Sequence, residues 1–255
     1  MLTPILKKGT GWKPQRPDFR DHVMKLERPG VEQFQDTDFR PLFDPPLDQG
    51  NSNSCTAHGI SSAIRYRRKV ENLPDFQPSR LFIYWNERLQ EGTQNQDDGG
   101  VIRDGIISVA KYGAPQEVLW PFDLSKITVE PDQFSFDAAL GDLVAEYQSV
   151  PVTKEDVLTA LSHNYPVVFG VTLYESFEND VTAQNGEVPM PSQNEKVIGG
   201  HCMLIVGAQI SNAKFIVRNS WGTDWGDEGY CYIPFDYILN ENLASDFWII
   251  QTIKT

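Results

Sequence analysis

A cysteine preceded by a glutamine and a glycine, followed far downstream by a histidine and then an asparagine, supplies the parts for thiol chemistry. Cys55 ends the run Asp48-Gln49-Gly50-Asn51-Ser52-Asn53-Ser54-Cys55. His201 lies in the strand-like run Gly200-His201-Cys202-Met203-Leu204-Ile205-Val206-Gly207, and Asn219 opens Asn219-Ser220-Trp221-Gly222-Thr223-Asp224-Trp225-Gly226. A thiol attacks only as thiolate, and a free cysteine near pKa ~8.5 is mostly protonated at neutral pH. The positive end of a helix and a facing imidazolium both lower that pKa. The expectation is therefore a Cys55–His201 ion pair, with Asn219 fixing the tautomer and orientation of the ring. Gln49 sits six residues ahead of Cys55. Its side-chain amide and the Cys55 backbone N–H are candidates to hold a developing oxyanion, where losing one donor typically slows a reaction about 10²–10³-fold.

These side chains need elements to hold them. Ala57, Ile60, Ala63 and Ile64 recur at helical spacing, which predicts a helix from Ser54 or Cys55 to about Val70. The cationic run Arg65–Lys69 near its end suits the helix dipole. A second helix is expected from Pro78-Ser79 and a third from about Arg103 to Tyr112, with Gly113 as its C-cap. Thr153 and Asp156 form a capping pattern for a fourth, which ends before Pro166. Beyond this point the texture becomes β-branched and aromatic. Val167–Leu173, Cys202–Ala208, Phe215–Arg218, Gly229–Ile233 and Ser245–Ile253 read as strands, and the polar span Thr182–Gly199 as a long loop. Helices followed by strands imply an α+β chain of two lobes around a cleft.

The chain has 255 residues, 40% of them hydrophobic, and a formal net charge of −13. The apolar share suits a packed core. The acidic balance argues against nucleic-acid binding, which needs Lys and Arg against phosphate. Three cysteines do not make a disulfide scaffold, and with Cys55 assigned to chemistry, Cys202 and Cys231 read as buried hydrophobes, with a Cys202–Cys231 disulfide as the alternative. The start Met1–Trp12 has no apolar signal-peptide core, and no run of about 18 apolar residues occurs. Membrane insertion is not expected, and the location is left between the cytoplasm and a non-Sec export route. Residues 1–47 are rich in Pro, Asp and Arg and read as an extended arm. Two fates are open to it: a strap along one lobe anchored by Trp12 and Phe19, which is favoured, or a pro-segment across the cleft. Residues 48–255 form the remaining domain, with a helical lobe at about 48–150 and a β-rich lobe at about 151–255.

The motifs together resemble the papain family of cysteine peptidases. Gln49-Gly50…Ser54-Cys55…Ala57 is similar to the family's cysteine segment, and Gly200-His201…Val206-Gly207 to its histidine strand. Asn219 to Tyr230 is nearly word for word its asparagine segment. His201 follows Cys55 by 146 positions, inside the ~130–150 window of papain-type enzymes, whereas Asn219 lies a little beyond it. Asp98-Gly99-Gly100…Asp104-Gly105 resembles the stretch whose glycine pair binds substrate backbone. The resemblance covers about residues 40–253. It implies a papain-like two-lobe fold and peptide-bond hydrolysis through a thioester, with Cys55 as nucleophile, His201 as acid/base, Asn219 as orienter and Gln49 as oxyanion donor. It also implies that Gly99, Gly100 and Gly200 line the substrate site and that Trp221 shields the His–Asn pair. No cofactor or metal is implied, and a monomer acting on peptide or protein substrates is expected. Ser52 and Asp97 stand where the family's first disulfide would be, and Thr56 replaces the tryptophan after the nucleophile. These departures suggest a divergent microbial or viral branch.

Three bland assignments accompany these. His58, one turn after Cys55, reads as a helix-core histidine bonded to backbone, and His22 and His163 as surface residues. Asp97, Asp98 and Asp104 read as a polar loop, not a metal site, since no EF-hand spacing occurs. Other functions for the same parts are acyl transfer of a transglutaminase or ligase kind, and a silent peptide-binding homologue. The Asn219 orienter and the Gln49 donor favour hydrolysis over the first, and the intact tetrad argues against the second.

Overall fold

The structure, a computed structural model, describes residues 8–30 and 34–254. Met1–Lys7, part of the start read as lacking an apolar signal-peptide core, lies outside the described residues. A single antiparallel sheet organises the second half. It runs in the order β2 (Leu143–Ser149), β7 (Ala244–Lys254), β3 (Val167–Tyr174), β4 (Val197–Gln209), β5 (Lys214–Arg218), β6 (Tyr230–Pro234), and the short β1 (Thr37–Asp38) adds to β4. His201 pairs with Val171 across β3 and β4, which places it in the middle of the sheet. Continuous runs such as Cys202–Ala208 are buried on both faces, so the strands read as solid apolar stretches without alternation.

Helix α1 (Cys55–Val70) packs its Ala57, Ile60, Ala63 and Ile64 stripe onto β4 and β7. It starts at Ser54 and ends with Arg67, Arg68 and Lys69 in its last turn. Helix α2 (Arg80–Glu91) is capped by the Ser79 hydroxyl, which accepts from Phe82 N–H, and α3 (Ile102–Tyr112) ends at Gly113, φ +77°. Leu81, Phe82, Trp120 and Ala139 close a second, smaller apolar cluster on the far side of α2. Helix α5 (Lys154–Ser162) is capped by Thr153 with Asp156 as anticipated.

The structure differs from expectation in its short elements. Helix α4 (Gln133–Ala139), capped by Asp132, and strand β2 carry too few residues for a periodic signal. Strand β2 joins the sheet, although residues 143–149 fall in the span assigned to the helical lobe. The span expected as a long loop holds most of α6 (Asp180–Asn185), capped by Asn179 and closed by Gly186, and the first part of β4. Helix α7 (Phe235–Ile238) is one turn. Cys202 and Cys231 are free and buried, on strands separated by β5. No described helix is long and apolar enough to cross a membrane.

The arm is both strap and cover. Residues 22–24 lie beside β2, where Met24 N donates to Ser149 O at 2.8 Å and Ser149 N to His22 O at 2.8 Å. Arg103 pairs with Asp21 and donates to Arg16 O, and Arg28 pairs with Asp156. Trp12 is buried in the main core, but Phe19 is 99% exposed at a turn and anchors nothing. The expectation of a Phe19 anchor is thereby corrected: Asp18 and Arg20 pair with each other around it and hold the turn away from the body.

Candidate active site beneath the N-terminal arm

Cys55 is the first residue of α1, and its thiol is fully buried. Sγ accepts from Cys202 N at 3.3 Å, and the Gly11 N–H of the arm lies near enough to favour its thiolate form. His201 donates from Nε2 to Asn219 Oδ1 at 2.8 Å, and Oδ1 also accepts Ser220 N at 2.8 Å. With Nε2 committed as donor, the neutral ring presents Nδ1 as a free base, and Nδ1 is buried with no hydrogen-bond partner among the described residues. Trp221 packs on the His201 ring, 5.1 Å between centroids, and leans on Phe177 and Trp225. The sheet thus fixes His201, and an aromatic cluster fixes the asparagine loop beside it.

Gln49 is tied at both ends. Ser220 Oγ donates to its Oε1 at 2.5 Å, which turns Nε2 toward Ser52 O (2.7 Å) and Gly9 O (3.1 Å). One amide hydrogen therefore serves the loop, and the other holds a carbonyl of the arm. Gly100 N donates to Gly11 O at 2.8 Å, Lys13 N to Gly100 O at 2.9 Å, and Trp12 N to Gly200 O at 3.0 Å. Arm residues 11–13 thus occupy the backbone positions that Gly100 and Gly200 offer, in a parallel bridge. Gly99 faces the arm so closely that a Cβ there would stand 2.0 Å from Gly11 O, and its φ of +76° also requires glycine. Lys13 closes the arrangement with ion pairs to Asp98 and Glu91.

Burial sets the protonation states. It pushes the Cys55 thiol up to about 12, against the pull of its backbone donors. It pulls His201 down to about 4, only partly offset by the bond to Asn219. Both groups are neutral in this state, so the ion pair expected from the sequence is not formed while the arm is seated. The physical reason is desolvation, which here outweighs the helix N-terminus.

Every residue singled out from the sequence, Cys55, His201, Asn219, Gln49, Gly99, Gly100, Gly200 and Trp221, gathers in this one region. His58 does not act beside them. Its Nδ1 meets Ser54 O at 2.9 Å and its Nε2 meets Arg80 Nη1 at 2.9 Å, so both nitrogens are engaged. His22 is exposed and His163 half-buried. Asp97, in place of the family's disulfide partner, accepts Asn53 N at 3.0 Å and Tyr84 OH at 2.6 Å, while Tyr84 OH accepts Gly99 N. A hydrogen-bonded clasp thus ties the glycine pair to the Cys55 loop. Among the described residues no group of three or more His, Cys, Asp or Glu is placed to hold a metal.

Sequence reasoning missed Ser220, Tyr84 and the arm glycines Gly9 and Gly11. Ser220 stood inside the asparagine motif and was legible as a neighbour of Asn219. The arm glycines carried a weaker signal, in the spacing Gly9-Thr10-Gly11-Trp12 ahead of a helical domain.

The family model described as "Papain family cysteine protease" matches residues 35–245. An uncharacterized peptidase C1-like protein of Acanthamoeba polyphaga mimivirus is 36% identical over 279 residues, covering 99% of this chain and 90% of that protein. The solved structure of xylellain, a cysteine protease from Xylella fastidiosa, superposes with a TM-score of 0.88 at 34% identity, covering 100% of this chain and 99% of that one. Procathepsin B S9 from Trypanosoma congolense shares the fold, with a TM-score of 0.70 at 18% identity over 97% of this chain and 87% of that one.

Proposed function

We propose, from the premise that this chain belongs to the papain family of cysteine proteases, that it cleaves peptide bonds with Cys55 as nucleophile, His201 as acid/base and Asn219 as orienter. The observation that carries the assignment is the His201 Nε2–Asn219 Oδ1 bond, which leaves Nδ1 as a free base in the same buried site as the Cys55 thiol. In a solvated cleft Nδ1 takes the thiol proton, and Sγ attacks the scissile carbonyl. The carbonyl oxygen becomes an oxyanion held by Gln49 Nε2–H and the Cys55 backbone N–H. Collapse expels the amine, which takes the proton from His201 and leaves a thioester. Water, deprotonated by the same ring, then hydrolyses it. Gly100 and Gly200 align the substrate backbone beside Gly99, and Trp221 keeps water from the His–Asn bond. Acyl transfer and silent peptide binding find no favouring observation in these contacts or relatives.

Residues 9–13 hold the enzyme latent. Gly9 O takes the amide hydrogen meant for the oxyanion, the Gly11 N–H lies beside Sγ, and Gly100 and Gly200 are paired with the arm. The arm is thus read as pro-segment at residues 9–13 and as strap at residues 21–28. The test is a peptide-library digest by the full chain and by a Trp12→Ala chain, with and without a thiol-reactive epoxide. Cleavage should be weak in the former, strong in the latter, and absent with epoxide. Epoxide-resistant cleavage would overturn the nucleophile.

A further inference from the structure

His58 lies one turn past the nucleophile on α1 and is buried, yet both of its ring nitrogens are engaged. Arg80 Nη1 stands 2.9 Å from Nε2. A guanidinium can only donate, so Nε2 accepts and the ring hydrogen sits on Nδ1. Nδ1 therefore donates to Ser54 O at 2.9 Å. The His58 backbone N–H meets the same carbonyl at 3.2 Å. Arg80 is itself clamped by Glu117, with Nε to Oε2 at 2.7 Å and Nη2 to Oε1 at 2.6 Å. It lies over the Phe122 ring, which the His58 ring meets edge-on at 5.0 Å between centroids. Burial and then the Arg80 charge hold His58 well below the usual histidine range, and the charges of His201 and Arg218 act in the same direction, with only the Ser54 bond opposing them. The ring is therefore neutral and locked in one tautomer.

Ser54 O belongs to the peptide unit whose N–H is that of Cys55. A trans peptide is planar, with its C=O and N–H on opposite sides, so a held carbonyl also sets the direction of the N–H. Cys55 is the first residue of α1, a position whose N–H has no acceptor inside its own helix. Ser54, the N-cap, makes no side-chain cap bond. Its hydroxyl lies 2.8 Å from Ser52 Oγ, which donates to Gln49 O at 2.8 Å, and Ser52 O accepts Gln49 Nε2 at 2.7 Å. One chain of hydrogen bonds thus runs from Glu117 through Arg80, His58, Ser54 and Ser52 to Gln49. It reaches both donors assigned to the oxyanion.

We propose that His58 is a positioning residue for the oxyanion hole: its Nδ1–H holds the Ser54 carbonyl so that the Cys55 N–H points at the developing oxyanion, and Arg80, clamped by Glu117, fixes the ring in the tautomer that can do so. This deepens the peptidase assignment and rests on it. With both nitrogens engaged, His58 transfers no proton, and its effect falls on the oxyanion alone. Its loss should slow acyl transfer, where an oxyanion forms, and spare alkylation of the Cys55 thiolate, where none forms. A merely structural role, satisfying the buried Arg80, makes a different demand: an acceptor at the far end of the side chain.

Three substitutions in the full-length Trp12→Ala chain separate the two demands. His58→Asn carries an amide N–H on its Cγ, as the imidazole does, and is too short for Arg80. His58→Gln carries its amide one carbon further, level with Nε2, and offers Arg80 an acceptor but Ser54 O no donor. His58→Leu offers neither. For a fluorogenic peptide, kcat should fall at least about tenfold in His58→Gln and His58→Leu with KM within about twofold, a smaller loss than the about 10²–10³ of removing an oxyanion donor outright. His58→Asn should stay within about threefold of the parent. A peptide nitrile gives a second reading: Sγ adds to the nitrile carbon, the nitrogen takes the thiol proton, and the thioimidate nitrogen sits in the same hole, so its affinity should weaken in the same order. Iodoacetamide alkylation of Cys55, located by mass spectrometry, should stay within about threefold in all four chains. Should His58→Leu not fold, the Asn–Gln pair carries the comparison. An active His58→Gln beside an impaired His58→Asn would reduce His58 to a partner for Arg80 and overturn the proposal, as would a parallel loss of alkylation and hydrolysis in all three. If the Trp12→Ala chain cuts no peptide, the peptidase assignment falls, and the nitrile series still decides the positioning: equal affinities for His58→Gln and its parent overturn it.

Discussion

Two stretches of the segment ahead of α1 meet the body in different ways. Residues 9–13 are held mainly by backbone: Gly9 O on Gln49, Gly11 O and Lys13 N on Gly100, and Trp12 N on Gly200. Residues 37–46 are held by side-chain packing and a strand. β1 pairs with β4, Phe39 and Phe43 pack on Tyr66 at 5.3 and 5.0 Å, and Arg218 donates to Asp44 O and Pro45 O. Backbone hydrogen bonds are sequence-blind, so an extended peptide can make the same backbone bonds as the first stretch. Jigsaw packing is specific, so nothing in solution replaces the second. On the proposed function the first stretch competes with substrate, whereas the second is part of the fold.

The largest effect expected tests whether the cleft beneath the arm is catalytic at all. In a Trp12→Ala chain, adding Cys55→Ala should lower peptide hydrolysis at least about 10³-fold, as for other covalent nucleophiles. The thermal midpoint should hardly change, because Cys55 and alanine are both small and apolar. Retention of more than a few per cent of the turnover would remove Cys55 from its role. His201→Ala should act alike, and Asn219→Ala should lose less, since it orients and transfers no proton.

The contrast itself predicts opposite outcomes for two buried aromatics. Phe39→Ala should cost about 3–5 kcal/mol of stability, the usual range for a truncated core ring, without raising activity. Trp12→Ala should cost less, because the arm peels away locally and the space it leaves fills with water, and it should raise hydrolysis at least tenfold. Denaturant unfolding and initial rates, measured on both, decide it. Equal stability losses with no activation would merge the two stretches into one structural strap. Gly11→Val gives a milder version with Trp12 intact. A Cβ at Gly11 would stand 1.9 Å from Asn53 O, so the arm should lift and activity rise by several-fold, and a silent Gly11→Val would mean that the arm shifts without leaving.

Legibility in the sequence follows the same division. Helices α2, α3 and α5 were readable because each pairs an apolar stripe with a cap or a terminal glycine, and α1 because its stripe runs into a cationic last turn; the Cys55, His201 and Asn219 segments were readable because they sit at the ends or centres of such elements. The first part of β4 was not, since Gly199 and Gly200 give a strand no side chains to advertise it, and α4 and α6 are too short to show a period. A cleft-covering role for the arm was one of two readings open in the sequence and the less favoured one, because the backbone hydrogen bonds of residues 9–13 leave no residue-type signature. The protonation states of Cys55 and His201 escaped because the sequence supplies the helix start and the histidine, but only the folded surroundings supply the desolvation.

That last point yields the smallest effect and the finest discrimination. His201 titrates near 6.5 when unfolded and is pulled down to about 4 in the folded, covered state. Between these values the unfolded chain binds more protons than the folded one, so this group's contribution to stability is unfavourable at low pH and its cost appears as pH falls below 6.5. His58, also lowered by burial, acts in the same direction. Glu87 and Asp246, raised by burial, act in the opposite one, since their contribution is fully present at low pH and is lost as pH rises through their folded values. The His201 part is isolated by difference. Relative to His201→Gln, the wild-type thermal midpoint should fall by an extra few degrees between pH 7 and 5.5, the shift expected from about 1 kcal/mol in a chain of this size, and the two curves should run parallel above pH 7. Because residues 9–13 add to that burial, the extra fall should shrink in a Trp12→Ala background and persist in a milder Phe39→Leu one. An extra fall that is the same in all three backgrounds would mean that the sheet alone buries His201, and that the arm covers the cleft without setting its protonation.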